Sequence, residues 1–452
     1  MRFLWLIVLL AGAFSVMGDA QPIEEVYRVY TEHPRLFLRP QRLKLLKRER
    51  ERQSMRWRQF ETLIAGNAAM PEPGFALALH YAVSGNRASA AKATEWALSP
   101  AGSDLRQLAI VYDWCQDALT DLQSKALAGK IQKALAATRD RSIVPQRSRV
   151  LAAIAIAEQN QDAAEAVLRE VAGKWWTTVL APKISSGTNL DPGGELQALL
   201  EVLHAVRDNL NIDLRPQAAA YFKALPSFQV SCNYPGPLAS AENEFRIPVF
   251  TGSGEPDLTR SALARAAGLS TVAYDSNALE NQFLQGWLIQ DRFMLRGALG
   301  SPYEFLWANP YQPGLAYVHL PLIFHDERSG TLLLRSDWEE DATWFALYDG
   351  QAQLYRQGQI TVLNLKVSAG KQPPPVQIGK ASVVLVSGPA RFRATGDQMF
   401  VIGGKPRTKY DIEVDGEELV EKESDAAGTL SFTFVEEQVP GIRLKESDHG
   451  RN

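Results

Sequence analysis

The chain has 452 residues, which is room for about three average domains or for one or two large ones. Hydrophobic residues make up 46% and charged residues 22% of the sequence, and these ordinary globular values exclude wholesale disorder, a collagen-like fibre and a disulfide-stapled mini-protein. The 48 basic and 51 acidic residues leave a formal net charge of -3, so no global field attracts nucleic acid or an anionic membrane.

Residues 1–20 have the features of a secretory signal peptide. One positive charge at Arg2 precedes an apolar run from Phe3 to Phe14, and small residues follow up to Ala20. The run is well under the ~20 residues that span a bilayer, and no later stretch is long and apolar enough to do so. The alternative is a buried N-terminal helix. We predict an exported protein, periplasmic or extracellular, with no membrane span in the mature chain.

Helical periodicity extends from about residue 24 to residue 299. Apolar residues recur at spacings of three and four, and the gaps between such stretches hold Gly, Pro, Asn and Asp. The clearest predicted helical segments are residues 40–63, 75–98, 105–138, 150–172 and 194–210. Several hydrophobic faces in succession, joined by short polar turns, indicate paired helices that pack into one layered body.

The first of these segments is strongly basic. Between Arg39 and Phe60 it carries nine Lys or Arg residues. Such a cluster could bind a polyanion. Alternatively, it is a solvated helix face whose leucines point inward. Glu49 and Glu51 interrupt the positive charge, so the pattern favours the solvated face.

The period changes in the C-terminal third, where short segments rich in β-branched and aromatic residues alternate with turn clusters. The predicted strands are residues 332–336, 343–348, 360–367, 381–386, 398–403, 410–413 and 429–434. Asp415-Gly416 is a hairpin signal between the last two. Asn309-Pro310 and Gln312-Pro313-Gly314 punctuate the chain at the change of period. We therefore predict a helical domain over residues 21–315 and an antiparallel β domain over residues 316–452.

The cysteines and histidines give no metal site. None of the six histidines has a second one at the spacing that places two ligands on one helix face. His319 and His325 lie across a predicted strand and turn, where a structural role is the simpler interpretation. Cys115 and Cys232 make at most one disulfide bridge, and only if the fold brings them together. We predict neither a metal nor a cofactor.

Several segments together resemble the heparinase II/III-like polysaccharide lyases. They are HPRLFL at His33, FALALHY at Phe75 with its Ser84-Gly85-Asn86 turn, YDW at Tyr112, the stretch 149–157, GGE at Gly193, LRSDW at Leu334 and DATW at Asp341. The resemblance implies an α+β multidomain fold, with an incomplete (α/α) toroid followed by a C-terminal antiparallel β-sandwich-like domain. It also implies a secreted protein that binds acidic polysaccharide, or cleaves it by β-elimination.

β-Elimination on a uronate sugar makes specific demands on a site. The proton α to the carboxylate is only weakly acidic while the carboxylate is charged, so the site must neutralise that charge with Asn, Gln, His or a protonated Glu. A Tyr or His then serves as base and acid. A Tyr acts as a base only where a nearby cation lowers its pKa.

Residues of these types lie in or beside predicted loops between helices. We predict Tyr234 as base and acid, Asn243 as the neutralising group and His204 beside them. The predicted substrate-binding residues are Trp175, Trp176, Asn189, Glu195, Gln197, Arg246 and Trp307. Plainer alternatives exist, because aromatic residues at helix ends commonly fill the core and the dipole of a helix favours a carboxylate such as Glu195 in its first turn.

One part of the family pattern is missing. Where these lyases carry a His-x-His-x-Asp stretch early in the β domain, this chain places Ala352, Leu354 and Arg356. Ala and Leu neither bind metal nor transfer protons, which favours an alternative: a catalytically inactive relative that binds glycan or supports a partner. A third alternative is an inverting glycoside hydrolase, which needs the carboxyls of Asp191 and Glu195 about 6.5–9.5 Å apart.

Overall fold

The computed structural model describes residues 26–240, 244–290, 294–366, 373–393, 396–416, 418–434 and 440–447. Over these residues a helical region precedes a region of β-sheets, which confirms the predicted fold class. No helix in the described ranges has both the length and the hydropathy needed to cross a bilayer. The predicted signal peptide, residues 1–20, lies outside the described residues.

The helices of the described residues, α1–α14, are Pro40–Glu51, Met55–Ala65, Pro73–Ser84, Arg87–Leu98, Leu105–Trp114, Asp121–Ala137, Ile143–Ala155, Gln161–Leu168, Ala181–Ser185, Gly194–Leu210, Ala219–Ser231, Leu258–Tyr274, Leu279–Gln290 and Gly300–Trp307. A π-helix, Arg169–Leu180, joins α8 to α9. Four of the five predicted helical segments therefore contain more than one helix, and only 194–210 coincides with a single one, α10.

Six of these helices form an inner ring. In ring order α3, α5, α7, α10, α12 and α14 each contact the next, and α14 contacts α3. Helices α4, α6, α8, α11, α13 and α2 pack outside them. Inner helices such as α5 and α7 are buried on nearly all sides, whereas the outer α6 buries only Leu127, Ala128 and Ile131. A helix that is apolar all round belongs inside, and an amphipathic one outside.

Short-range signals explain where the predicted segments break. Segment 75–98 divides at Gly85, whose φ of 74° ends α3 in a conformation that glycine adopts without steric cost. Asn86 then begins α4, since its side chain accepts a hydrogen bond from the Ala88 N–H at 2.9 Å. Segment 40–63 divides similarly, where the Ser54 hydroxyl accepts from the Trp57 N–H at 3.2 Å and caps α2.

The centre of the ring holds a buried ionic network. Arg106 on α5 donates three hydrogen bonds to the Glu201 carboxylate on α10, at 2.6–3.1 Å. Arg147 on α7 donates to the same carboxylate at 2.9 Å. Arg106 also donates to Glu72 at the start of α3, which accepts from the Tyr303 hydroxyl of α14 at 2.7 Å. The network therefore ties together five of the six inner helices.

The strands in the described ranges, β1–β15, are Leu238–Ala239, Glu244–Phe245, Ile323–Asp326, Thr331–Arg335, Trp344–Tyr348, Gln351–Arg356, Gln359–Leu363, Val376–Ile378, Ala381–Leu385, Ala390–Arg393, Gln398–Ile402, Lys409–Val414, Glu418–Glu423, Leu430–Thr433 and Gly441–Glu446. Apart from the β1–β2 pair, they form three sheets, ordered β3-β4-β5-β6-β7, β14-β11-β9-β8 and β10-β15-β12-β13. Pairing is antiparallel except between β9 and β11, because the chain passes through β10 of the third sheet between them.

The sheets stack in layers on the helical region. One face of the first sheet, including Leu333, Trp344 and Tyr355, joins the helical core. Its other face packs on the second sheet, and the far face of the second sheet packs on the third. Central strands of such a stack are buried on both faces, so they read as continuous apolar runs. The β region is thus one sheet deeper than the predicted sandwich.

The predicted hairpin at Asp415-Gly416 is confirmed, but its predicted partner is wrong. Asp415 and Gly416 have φ values of 51° and 80°, positive values that favour Asp and Gly in short hairpin connections. The turn joins β12 to β13, while residues 430–433 form β14 in the second sheet beside β11. A turn signal specifies the reversal of the chain but not which apolar segment follows it.

The HPRLFL segment is held by one buried carboxylate. Asp113, on α5, accepts hydrogen bonds from the backbone N–H groups of Arg35 and Leu36 at 2.8–2.9 Å and from the His33 ring at 2.6 Å. Burial lowers the pKa of His33, but the hydrogen bonds to Asp113 and Glu158 raise it by more, to about 9. His33 is therefore protonated at neutral pH.

This arrangement makes stability depend on pH. Because the pKa of His33 is raised from 6.5 to about 9 on folding, its contribution is fully present below about pH 6.5 and is lost as the pH rises through 9. We expect the urea midpoint of the wild type to fall more steeply across this window than that of a His33→Gln variant. Equal slopes in the two proteins would contradict the assignment.

Candidate functional site

A pocket of about 640 Å³ lies where the C-terminal ends of α11 and α13 meet the turn between β4 and β5. Its lining residues are Asn233, Tyr234, Pro235, Arg246, Trp287, Gln290, Tyr317, Arg335, Trp338, Glu339, Glu340 and Asp341. We refer to it as the interface pocket, because both the helical region and the first sheet supply its walls. Of the ten predicted site residues, Tyr234 and Arg246 line it.

Arg335 is the charged group most deeply set in this pocket. It ends β4, is only 7% exposed, and donates a hydrogen bond to the Asn233 carbonyl. Its guanidinium lies over the Trp338 ring at 5.0 Å, and its Nε is buried without a hydrogen-bond partner. Burial lowers the pKa of Arg335 to about 10. Within the described part of the chain no carboxylate forms a direct ion pair with it, and the nearby charge of Asp337 only partly offsets the effect of burial.

Arg246 brings a second guanidinium to the same pocket. It follows β2 and donates to the Pro235 carbonyl and, at 3.2 Å, to Glu340. The Glu340 side chain is 66% exposed, and such surface pairs contribute little stability. Glu340 can therefore give way to an anionic ligand at low cost. The positive charge of Arg246 also acts on Arg335 and disfavours its protonated form, which any bound anion would relieve.

Aromatic rings lie beside these cations. Trp338 and Tyr317 meet edge to face at 5.6 Å between ring centroids, and the Trp338 indole N–H donates to the Leu320 carbonyl at 3.3 Å. Trp338, Tyr317 and Trp287 are each half-buried. A half-buried ring keeps one face or edge accessible, which is the arrangement that packs against the apolar face of a sugar.

The hydroxyl of Tyr234 is turned toward β6. It donates to the Gln353 side-chain oxygen at 2.7 Å, and the Tyr234 ring stacks near Tyr355 at 6.1 Å. Burial raises the pKa of Tyr234 to about 12. The positive charge of Arg260 lowers the pKa of Tyr234 by less than burial raises it, so the environment of Tyr234 opposes its use as a base at neutral pH.

The register of β6 decides which side chains approach this region. Tyr355 belongs to the core shared with the helices, and Gln353 bonds to Tyr234. Ala352 and Leu354 pack on the opposite side, toward the second sheet. Successive strand residues face opposite sides, so positions 352 and 354 point away from the interface pocket. The strand instead presents an amide and a phenol to Tyr234.

His204 and Trp307 lie elsewhere. They line a separate pocket of about 390 Å³ with Arg42 and Arg207, and their rings are 4.5 Å apart. The His204 Nε2 lies 2.9 Å from the Ser270 carbonyl oxygen, so this nitrogen carries the proton. Burial lowers the pKa of His204 to about 3. The structure does not bring His204 together with Tyr234.

Three further predicted residues are in the core. Trp175, Trp176 and Gln197 are 3%, 0% and 2% exposed. The Trp175 indole N–H donates to the Arg141 carbonyl at 2.9 Å, and the Trp176 ring stacks near Phe222 at 6.2 Å. At this burial neither indole presents a face to a ligand.

The GGE loop holds itself together. Asp191 accepts from the N–H groups of Gly193 and Gly194 at 3.1 and 2.9 Å, and Glu195 accepts from the Asp191 N–H at 3.0 Å. Asp191 thereby satisfies the first N–H of α10, that of Gly194, and Glu195 fixes the backbone that precedes the helix. Asn189 donates to Thr331 and Asp349 and so joins the loop to the first sheet.

Asn243 lies outside the described residues, so its predicted role stays a prediction. In the described ranges no group of three or more His, Cys, Asp or Glu side chains is placed to hold a metal ion. Cys115 and Cys232 are both buried free thiols; the fold does not join them in a disulfide.

The most informative pocket residues were not among the predicted ones. Arg335, Trp338, Tyr317 and Trp287 line the pocket. One sequence signal was available, because Arg335 ends the apolar run TLLLR and is followed by a turn containing Trp338. A cation at the end of a strand buried on both faces is unusual. No sequence pattern near Arg335 links it to Trp287 or Tyr317, because these two residues belong to other elements of the fold.

Comparison with known proteins does not identify a family for this chain. No protein-family model and no curated protein matches this sequence. Among solved structures, the chain is similar to heparan sulfate lyase HepC from Pedobacter heparinus and to a mutant of it, with TM-scores of 0.37 and 0.36 and identities of 12% and 11%. Each match covers 82% of this chain and 75% of the other. This similarity is too low to transfer catalytic residues.

Proposed function

We propose that this protein is exported and binds an acidic polysaccharide, with an anionic sugar residue in the interface pocket. The observation that carries the proposal is Arg335, a buried guanidinium without a carboxylate partner among the described residues. A sugar carboxylate or sulfate would supply the missing countercharge, and it matches a guanidinium in geometry. Arg246 adds a second charge, and the half-buried Trp338 offers a ring to the sugar.

The pocket also suits a sugar in its polarity. The acidic side chains of Glu339, Glu340 and Asp341 line one side of it, where they can accept hydrogen bonds from sugar hydroxyls. A ligand with both anionic groups and hydroxyl donors can bind the arginines through the former and the carboxylates through the latter. As part of the same proposal we retain the division between the helical and β domains at residue 315.

A matched pair of ligands tests the proposal. A disaccharide that contains glucuronate should quench or shift the tryptophan fluorescence, since Trp287 and Trp338 line the pocket. The methyl ester of the same disaccharide keeps every hydroxyl but loses the charge, and it should bind at least tenfold more weakly. Equal affinity for acid and ester, or no binding of either, would contradict the proposal.

β-Elimination is the second candidate function, and one placement favours it. The Tyr317 ring and the Arg335 guanidinium both contact Trp338, so a phenol stands beside a cation in the pocket that would hold the uronate. A guanidinium next to a phenol favours the phenolate, which can take the proton α to the carboxylate and return it to the leaving oxygen. Arg335 would neutralise the carboxylate. The predicted roles of Tyr234, Asn243 and His204 remain a prediction beside this one.

Activity is measured as the absorbance of unsaturated uronate on incubation with heparan sulfate, chondroitin sulfate and alginate. If Tyr317 is the base and acid, Tyr317→Phe should lower kcat by at least 100-fold and leave the affinity for the glucuronate disaccharide within about threefold. Tyr234→Phe is the matched control and should retain most of the activity. If Tyr234→Phe instead loses far more activity than Tyr317→Phe, Tyr234 is the base. If no substrate gives an absorbance, β-elimination is excluded for these substrates and glycan binding remains the proposed function.

A further inference from the structure

A second groove, remote in sequence from the interface pocket, runs along α1. It has a volume of about 860 Å³ and lies between the outer face of α1 and the segment that precedes it, residues 31–35. Lys44, Lys47 and Arg48 line it from the helix, and all three are exposed. Spacings of three and four place them on one helix face. We refer to it as the α1 groove.

The three cations have no fixed countercharge. Within the described residues, none of them forms an ion pair or a side-chain hydrogen bond. This differs from most arginines in the molecule, such as Arg35 on the opposite wall, which pairs with Glu158. Like charges on one helix face repel each other and are unfavourable for folding. A ligand that supplies negative charge to this concave surface would relieve the repulsion.

The opposite wall is held in place by hydrogen bonds. Asp113 fixes the backbone of Arg35 and Leu36, and it holds the His33 ring at 2.6 Å. His33 is protonated at neutral pH, since its pKa is raised to about 9 by its hydrogen bonds against the opposing effect of burial. A ligand in the groove would therefore meet the unpaired cations of α1 opposite a pre-organised wall, whose own cations His33 and Arg35 already pair with Asp113 and Glu158.

We propose that the α1 groove is a binding site for a polyanionic glycan chain, separate from the interface pocket. Among the described residues no Phe, Tyr or Trp lines the groove, so these residues offer no ring on which the bases of a single-stranded nucleic acid could stack. It does contain two carboxylates, Glu32 and Glu51, which repel phosphates but accept hydrogen bonds from sugar hydroxyls. Alternating anionic groups and hydroxyls are the chemistry of a sulfated or uronate-rich polysaccharide.

This site does not require the interface pocket to function. A long chain held by α1 would raise the local concentration of glycan at the protein, whether or not the pocket cleaves it. The sequence pattern favoured a solvated face for this basic segment. The fold adds a second wall, residues 31–35, across from that face, and the proposal therefore gives the segment a binding role.

The test uses the mature protein and a fluorescent heparan sulfate oligosaccharide, followed by fluorescence anisotropy at physiological salt. The double variant Lys47→Gln/Arg48→Gln should bind about tenfold more weakly than the wild type, with a shallower dependence of affinity on salt. The control Lys125→Gln/Lys133→Gln makes the same charge change on the exposed face of α6, and it should bind within twofold of the wild type.

The outcomes separate the two sites. The glucuronate disaccharide reports on the interface pocket, and the double variant should bind it as the wild type does, even if the pocket proposal itself fails. An equal loss in the α6 control would overturn the groove as the site. Equal or tighter binding of single-stranded DNA of the same charge, or of vesicles rich in anionic lipid, would overturn the glycan as its ligand.

Discussion

Replacing Glu201 by alanine is expected to lower the free energy of unfolding by about 3–5 kcal/mol. The Glu201 carboxylate is fully buried and accepts hydrogen bonds from Arg106 and Arg147. Without it, two guanidiniums remain inside the ring of helices, and of the ion pairs in the described residues only that of Arg106 with Glu72 is left to them. A buried charge stripped of its partner costs more than the original pair contributed, because neither water nor another anion replaces it.

The pH dependence of this effect follows from the carboxyl group. Burial alone would raise the pKa of Glu201, but Arg106 and Arg147 lower it to about 2. The folded value lies below the ordinary 4.5, so the contribution to stability is present above about pH 4.5 and disappears as the pH falls toward 2. The difference between wild type and Glu201→Ala should therefore shrink on acidification.

Urea unfolding followed by circular dichroism measures the loss. Glu165→Ala is the control, because Glu165 pairs with Arg169 on the surface with one turn of helix between them. It removes the same functional group and should cost about 0.5 kcal/mol. A loss for Glu201→Ala as small as that of the control would show that the network does not hold the ring together.

Arg335→Gln is expected to weaken binding of the glucuronate disaccharide by about 30-fold or more, since loss of one member of a buried, hydrogen-bonded charge pair costs at least about 2 kcal/mol. Glutamine keeps a donor for the Asn233 carbonyl, which now accepts from Arg335. Because the free protein leaves this cation without a carboxylate partner in the described residues, its removal should not lower the melting temperature.

The combination of lost affinity and retained stability is what distinguishes a binding residue from a structural one. Arg443→Gln is the matched control, because Arg443 is an exposed arginine of the third sheet paired with Glu413. It should leave the affinity within twofold. If Arg335→Gln lowers the melting temperature strongly while binding persists, then Arg335 supports the β4–β5 turn and the proposed anion site is wrong.

The helical half shows how far local patterns reach. Spacings of three and four predicted helical segments between residues 40 and 210, and residues such as Ser54 and Asn86 cap the helices inside them. The sequence did not separate inner from outer helices explicitly, although the continuous burial of α5 and α7 is visible as apolar residues on all sides. The closed ring depends on α14 contacting α3, more than 200 residues away.

The candidate site was less accessible to prediction. Tryptophan is used in polysaccharide sites and in cores alike, so Trp175 and Trp176 could not be told from Trp338 by residue type. Their exposure differs because the first two lie on a π-helix inside the helical region, while Trp338 lies in a turn beside a pocket. Tyr234 lines the interface pocket, but the direction of its hydroxyl depends on Gln353 of β6, which lies 119 residues further along the chain.

The sequence by itself determined that the helices precede the strands and that the chain reverses at Asp415, because these features depend on neighbours within a few residues. Only the tertiary structure decided which charges are compensated. Arg106 and Arg147 find Glu201, whereas Arg335 ends a buried strand without a carboxylate partner in the described residues, and Lys47 faces a groove. Compensation requires two groups within about 4 Å in space, and distance along the chain carries no information about that.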